Sequence, residues 1–310
     1  MLAGLAVNCL LLAWMGVADT LPAFLVLRFL AGVASAFVMI FMGAIVFSRL
    51  ALAGRSDLQA LHFGGVGGGI AFSALLTGGL HLADAGWRAG WLGAAVISLV
   101  AFSVVYLLAT GGPAPAGGGA AAREPGLPRS GALSRLILAY GLFGAGYIVT
   151  ATFLVAIVRQ GGQDPLFESA VWLVTGLAGA PSVWLWGKAV RRIGLTATFA
   201  VGCLVEAAGV LASVAISGPS GPVIGGILLG GTFIAITAYG LQAARQLAAA
   251  APRRVFALMT ASFGTGQIVG PILAGYGAVW SGSFAAPSAG AALALAAAAA
   301  IAWTGRRAPR

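Results

Sequence analysis

Long apolar runs separated by short polar breaks dominate the chain. Ten such runs cover roughly 1–17, 21–48, 58–80, 88–109, 134–159, 168–187, 194–217, 221–247, 255–280 and 284–304. A helix needs about 20 apolar residues to cross a bilayer, and the breaks are rich in Gly, Pro, Ser and charge, as turns are. The pattern therefore predicts an all-α, polytopic membrane helical bundle with ten spans. It excludes a transmembrane barrel, whose strands alternate apolar and polar residues.

Composition agrees with a membrane protein. Hydrophobic residues make up 60% of the chain and charged residues 8%, whereas soluble domains carry about 25% charged residues. The net charge of +10 comes from basic residues scattered among short loops, which excludes a nucleic-acid-binding platform. Cys9 and Cys203 lie alone in separate runs, so no metal site is predicted. We expect no cofactor.

The basic residues predict the orientation of the spans. Fourteen of the 17 lie in alternate loops, while the opposite loops carry only Arg88 and Arg159. Cytoplasmic loops of membrane proteins carry this excess of Lys and Arg. We expect a multi-pass protein of the cell inner (plasma) membrane with both termini in the cytoplasm.

A loop rich in Gly, Pro and Ala divides the spans. It predicts an incomplete N-terminal bundle of four spans at 1–109, a cytoplasmic linker at 110–133 and a six-helix C-terminal bundle at 134–310. Ten spans also suit a transporter of the drug/metabolite type with five-plus-five inverted repeats, but its midpoint would follow the fifth span. Glycines recur six spans apart, which is typical of parallel six-plus-six repeats. On that plan, the spans are helices 3 to 12.

Arg28 is the one charged residue between Leu21 and Ser48. An arginine near the middle of a bilayer costs about 2.5–3.5 kcal/mol on insertion scales and is a candidate functional residue. Gly32 and Ser35 follow on the same helical face. Arg28 is interpreted as a cavity residue that binds an anion or influences a proton-coupled carboxylate. Alternatively, it pairs with backbone carbonyls or extends toward the interface.

Other polar and small residues in the spans are weaker candidates. Glu206 is a candidate proton site; alternatively, it is a neutral, hydrogen-bonded packing residue. The tyrosines are alternatively packing residues, and His62 is alternatively an interfacial histidine. The candidate substrate or coupling pathway adds His62, Tyr140, Tyr147, Tyr239, Gln242 and Gln267 to Arg28 and Ser35. The candidate packing or conformational positions are Gly32, Gly69, Gly266, Gly270 and Pro271.

Four segments resemble the YbfB/YjiJ family of the major facilitator superfamily: RFLAGVASAFVMIF from Arg28, LHFGGVGGGIAFSALL from Leu61, YGLFGAGYIVTATFL from Tyr140 and ALMTASFGTGQIVGPILAGY from Ala257. The resemblance implies two bundles of six helices around a central cavity. It also implies that the first two helices of the family have no counterpart before Met1.

The sequence leaves three hypotheses of function. The first is a secondary active transporter of a small molecule by alternating access, with a proton as a candidate coupling ion. The second is a truncated or non-transporting membrane protein, such as a partner subunit or a remnant. The third is the five-plus-five transporter. An enzyme is not expected, because the two histidines lie near opposite membrane faces with no acidic residue beside either.

Overall fold

The structure is a computed structural model that describes residues 1–55, 58–110 and 124–305. This part of the chain is helical and contains no strand. Its elements are α1 (Leu2–Met15), α2 (Leu21–Leu52), α3 (Gln59–Leu82), α4 (Trp87–Thr110), α5 (Gly131–Gln160), α6 (Pro165–Gly179), α7 (Ser182–Ile193), α8 (Leu195–Ala215), α9 (Ser220–Leu247), α10 (Pro252–Ser281) and α11 (Ala285–Gly305).

The helices confirm the prediction of an all-α protein that crosses a membrane several times. In the described residues, eight helices are long and apolar enough to span a bilayer. The pair α6 and α7 adds a ninth candidate span if the two are taken together across a bend of 44°. α1 is apolar but has only 14 residues. The predicted total of ten spans is therefore not confirmed.

Local capping explains several helix starts. The Ser130 hydroxyl accepts a hydrogen bond from the Leu133 N–H at 3.4 Å, and the Asp164 carboxylate accepts one from the Phe167 N–H at 2.7 Å. Such side chains satisfy N–H groups that have no partner within the helix. Pro165 follows Asp164 at the first helical position, where a missing N–H costs nothing.

The polar break predicted between the runs at 168–187 and 194–217 is wrong as a loop, because its residues are helical. Lys188, Arg191 and Arg192 belong to the last turns of α7, and the chain turns only at Gly194, whose φ is +80°. Cations near the C-terminal end of a helix are stabilised by the helix dipole. Glycine adopts a positive φ without the strain that a Cβ would cause.

The chain forms two compact units. The described parts of Met1–His62 and Ser73–Ala121 form the first unit, and Phe63–Phe72 with the described part of Ala122–Arg310 forms the second. In the first unit, α1 packs against α2 and α4. Residues 111–123 of the predicted linker lie outside the described residues. The domain limits drawn from the sequence stay a prediction.

The second unit is built around α5, which contacts α8, α9, α10 and α11. Its core holds large side chains that are almost fully buried, including Tyr140, Phe143 and Phe199. Around this core, glycines let helix backbones approach closely. A Cβ built on Gly266 of α10 would lie 2.1 Å from the Gly141 carbonyl oxygen of α5. Close approach at small residues is typical of helix packing in lipid.

Glu124 caps a helix that starts 128 residues further along the chain. Its carboxylate accepts hydrogen bonds from the N–H groups of Arg253 and Arg254, each at 3.1 Å, and lies 3.4 Å from the Arg253 Nε. Ala251, at the N-cap of α10, provides no side-chain cap. The residue that precedes α5 by a few positions therefore holds the start of α10.

We expect Glu124→Ala to destabilise the first turn of α10 by about 1 kcal/mol, as loss of an N-cap does. Faster amide hydrogen exchange at Arg253 and Arg254, measured by mass spectrometry, would report this loss. Glu124→Gln keeps one carbonyl oxygen as acceptor, so its exchange rates at Arg253 and Arg254 should lie between those of the native chain and of Glu124→Ala. Unchanged exchange in the alanine variant would contradict the capping role.

Candidate functional site

An open cleft lies in the first unit between α1, α2 and α4. Its volume is about 490 Å³, within the usual range of about 300–1,000 Å³ for small-molecule sites. We call it the Arg28 cleft. It is lined by Leu5, Asn8, Cys9, Leu12, Met15, Arg28, Ala31, Gly32, Ser35, Val38, Ser98, Ala101, Phe102 and Val105.

The cleft brings together three of the residues that the sequence predicted. Arg28, Gly32 and Ser35 are spaced by four and then three residues, so they lie on one face of α2, and all three line the cleft. A Cβ on Gly32 would meet no atom of the described residues within 4 Å. Gly32 therefore leaves open space beside Arg28 instead of making a close helix contact.

Arg28 has an aromatic neighbour but no acidic partner. Its guanidinium carbon lies 5.7 Å from the centre of the Trp91 ring, a distance at which the ring face attracts a cation. Within the described ranges, no carboxylate forms an ion pair with Arg28. Asp19, which is near in sequence, pairs with Arg88 instead. The described lining of the cleft contains no acidic residue, so its net charge is positive.

Two polar residues of the cleft were missed from the sequence. Asn8 of α1 and Ser98 of α4 face the same space as Arg28. Asn8 gave a signal, since it is the one amide side chain in the run from Met1 to Val17. Ser98 gave none, because serines are common in apolar spans and their direction depends on how the helices pack.

The second unit contains a cluster of stacked aromatic rings around Tyr147. The Tyr147 and Phe263 ring centres lie 5.5 Å apart with planes 10° from parallel. Phe233 stacks on Tyr147 at 5.8 Å and 4°. Tyr140 joins this cluster through Phe263 and donates its hydroxyl hydrogen to the Thr237 carbonyl at 3.1 Å. Both tyrosines are buried, and their role in a pathway stays a prediction.

Gln267 and Tyr147, both predicted pathway residues, are joined by a hydrogen bond. The Gln267 Nε2 donates to the Tyr147 hydroxyl oxygen. Pro271 lies inside α10 without ending it. Because proline has no N–H, the Gln267 carbonyl four residues earlier lacks its helical donor. Gln267 therefore combines a carbonyl that lacks its usual helical donor with a side chain hydrogen-bonded to Tyr147.

Gly266 and Gly270, the predicted packing positions of α10, both lie against α5. A Cβ on Gly270 would lie 2.4 Å from the Ala145 carbonyl oxygen. The backbones of the two helices are therefore in contact at these glycines. Gly69 differs, since a Cβ there would meet no described atom within 4 Å.

Glu206 lies on α8 inside the second unit, with none of its surface exposed. Among the described residues, neither of its carboxyl oxygens has a hydrogen-bond partner. The nearby Thr232 hydroxyl donates to the carbonyl of Leu228 at 2.5 Å. Burying an ionised carboxylate without a partner costs far more free energy than burying the neutral acid. We therefore expect Glu206 to carry a proton in this conformation.

Three candidates lie apart from these groups. His62 packs edge-on against Phe47 with ring centres 5.2 Å apart. Tyr239 donates its hydroxyl hydrogen to the Val183 carbonyl at 2.5 Å, which ties α9 to α7. Gln242 is exposed on α9. The described residues contain no group of three His, Cys, Asp or Glu side chains able to hold a metal ion.

Comparison with known families gives a match that spans nearly the whole chain. A family model described as "uncharacterised MFS-type transporter YbfB" matches residues 1–303. MFS denotes the major facilitator superfamily. No curated protein matches the chain.

Proposed function

Because this chain belongs to the YbfB family of transporters in the major facilitator superfamily, we propose that it is a secondary active transporter of a small molecule. Transport would proceed by alternating access, in which the binding site opens to one side of the membrane at a time. The apolar helices make it a multi-pass membrane protein. We propose the inner (plasma) membrane as its location, with both termini in the cytoplasm.

The observation that carries this proposal is the Arg28 cleft. It places a cation with no acidic partner in the described residues at an open space of about 490 Å³ within a membrane-spanning segment. An unpaired charge in a span is costly and is usually retained for function. A substrate that neutralises Arg28 would supply the missing partner, and Gly32 leaves room for it to approach.

Glu206 is our candidate for the coupling proton. Its buried carboxyl would hold a proton while the second unit is closed and would release it once water reached the side chain. Nearby polar or ionisable groups are Thr232 on α9, Tyr147 on α5 and Cys203 on α8. None of these side chains is cationic, so none would hold an ionised Glu206 in place.

Transport can be tested before the substrate is identified. The full chain is reconstituted into liposomes loaded with a mixture of bacterial small metabolites, and the retained compounds are measured by mass spectrometry. We expect a small set of compounds to be lost from these vesicles but not from protein-free vesicles. Imposing a pH gradient should change the rate of loss if a proton is coupled.

A second candidate is a non-transporting membrane protein that pairs with other helices. One observation favours it: only 6% of the most apolar part of α2 and of α4 is buried, against 61% for α8. Retention of every metabolite at all pH gradients would contradict the transporter and support this candidate.

A further inference from the structure

We propose that the Arg28 cleft binds amphipathic monoanions, meaning molecules with one anionic group and an apolar body. This inference names the substrate class of the transporter proposed above and rests on that function only for the statement that the bound ligand is carried. Binding itself is a property of the cleft and is measurable separately.

The charge of the cleft selects an anion. Arg28 is the one ionised side chain among the described residues that line it, and no described carboxylate pairs with it. Its planar guanidinium suits a carboxylate, sulfonate or phosphate, which accepts two parallel hydrogen bonds. The Trp91 ring centre lies 5.7 Å from the guanidinium carbon, which is within the range of a cation–π interaction.

The remaining wall selects an apolar body. On α1, Leu5, Leu12 and Met15 form part of one helical stripe that faces the cleft, and Phe102 and Val105 face it from α4. A ligand with an apolar part would bury this apolar surface, which favours binding. A ligand without one would leave the surface uncovered. The wall therefore argues against small inorganic anions as the preferred ligands.

The neutral polar side chains are few. Asn8, Ser35 and Ser98 are the polar uncharged residues of the described lining apart from Cys9. They provide enough donors and acceptors for one polar head group but not for a ring of hydroxyls, each of which would need a partner when buried. Sugars and polyols therefore fit this lining poorly. A second negative charge on the ligand would find no second cation here.

The probe for this proposal is octanoate, a monoanion whose apolar chain has seven carbons beyond the carboxylate. Radiolabelled octanoate is bound to the full chain in lipid nanodiscs at neutral pH, and unlabelled octanoate, octylammonium and octanol compete for the site. We expect octanoate to compete at least about tenfold better than the other two, since a hydrogen-bonded charge contributes about 1.5–3 kcal/mol. Equal competition by all three would overturn the proposal.

Variants locate the site. Arg28→Gln should weaken octanoate binding at least about tenfold, and Arg28→Lys should weaken it less, because lysine keeps the charge but loses the planar fork. Arg245→Gln is the matched control, since Arg245 also lies over an aromatic ring, at 5.4 Å from that of Phe256, but outside the cleft. Equal affinity of the Arg28→Gln variant and the native chain would overturn the assignment.

Cys9 provides a reporter within the cleft. It lines the same cleft as Arg28 and keeps 9% of its surface exposed, whereas Cys203 in the second unit has none exposed. In a Cys203→Ala background, octanoate should slow the labelling of Cys9 by N-ethylmaleimide, and Arg28→Gln should abolish that protection. An unreactive Cys9 together with no octanoate binding would overturn the proposal and indicate that the cleft is filled by protein or lipid.

The two proposals fail in different ways. Octanoate binding that depends on Arg28, without flux of any compound in proteoliposomes, would support this inference and contradict the transporter. Flux of a compound that Arg28→Gln leaves unchanged would support the transporter and contradict the statement that the ligand of the Arg28 cleft is the one carried.

Discussion

Gly230→Ala is expected to destabilise the second unit by about 1–3 kcal/mol or more, the usual range for forcing a methyl group into a filled space. A Cβ at Gly230 of α9 would lie 2.0 Å from the carbonyl oxygen of Thr175 and 2.8 Å from its carbonyl carbon. These are backbone atoms of α6, which no side-chain rotation moves aside. The two helices would have to separate.

The adjacent glycine is the control for this prediction. A Cβ at Gly231 would meet no atom of the described residues within 4 Å, so Gly231→Ala should be neutral or stabilise α9 by up to about 1 kcal/mol. Thermal unfolding can be followed by a dye that reacts with the fully buried Cys203 in a Cys9→Ala background. Equal midpoint temperatures for the two variants would show that α6 and α9 are not packed this closely.

The same contrast exists on α10. Gly266→Ala places a methyl group 2.1 Å from the Gly141 carbonyl oxygen, whereas Gly264→Ala meets open space in the described residues. We expect the first to lower the midpoint temperature and the second to leave it unchanged or raise it. Because Gly266 lies one residue before Gln267, Gly266→Ala should also displace the hydrogen bond between Gln267 and Tyr147.

Glu206→Lys is expected to have the second large effect, destabilising the second unit by about 3–5 kcal/mol, as an uncompensated buried charge does. Glu206 has no exposed surface, and its neighbours Thr232, Tyr147 and Cys203 include no carboxylate that would pair with lysine. Glu206→Gln removes the ability to ionise but keeps the size and polarity of the neutral acid. It should therefore change stability by less than about 1 kcal/mol.

These two variants also separate the roles of Glu206. If it carries the coupling proton, Glu206→Gln should fold normally yet make metabolite flux independent of the pH gradient. If it is a packing residue, flux and its response to pH should match those of the native chain. A large loss of stability in Glu206→Gln would contradict the inference that the buried carboxyl is neutral.

The positions of most helices could be predicted from the sequence, because the signal for a membrane span is local. The predicted run at 21–48 and the observed α2 (Leu21–Leu52) begin at the same residue. The end at 187 was wrong, because the charges of Lys188, Arg191 and Arg192 were read as a loop. These residues remain helical at the end of α7, where the helix dipole favours them.

The candidate site could be predicted only where one helix forms it. The face of Arg28, Gly32 and Ser35 follows from the helical repeat and is the face that lines the cleft. Asn8 and Ser98 join it from α1 and α4, and their directions depend on helix packing that one sequence does not reveal. The Gln267–Tyr147 bond joins residues 120 positions apart, which is beyond the reach of any local pattern.

The bend between α6 and α7 has a mechanical consequence. Pro181 lacks the N–H that would continue the helix, and the axis turns by 44° at this point. A single continuous helix would move as one rigid element. Because α6 and α7 are separate helices, we expect spin labels near Phe167 and near Arg191 to report movements that differ in size and timing.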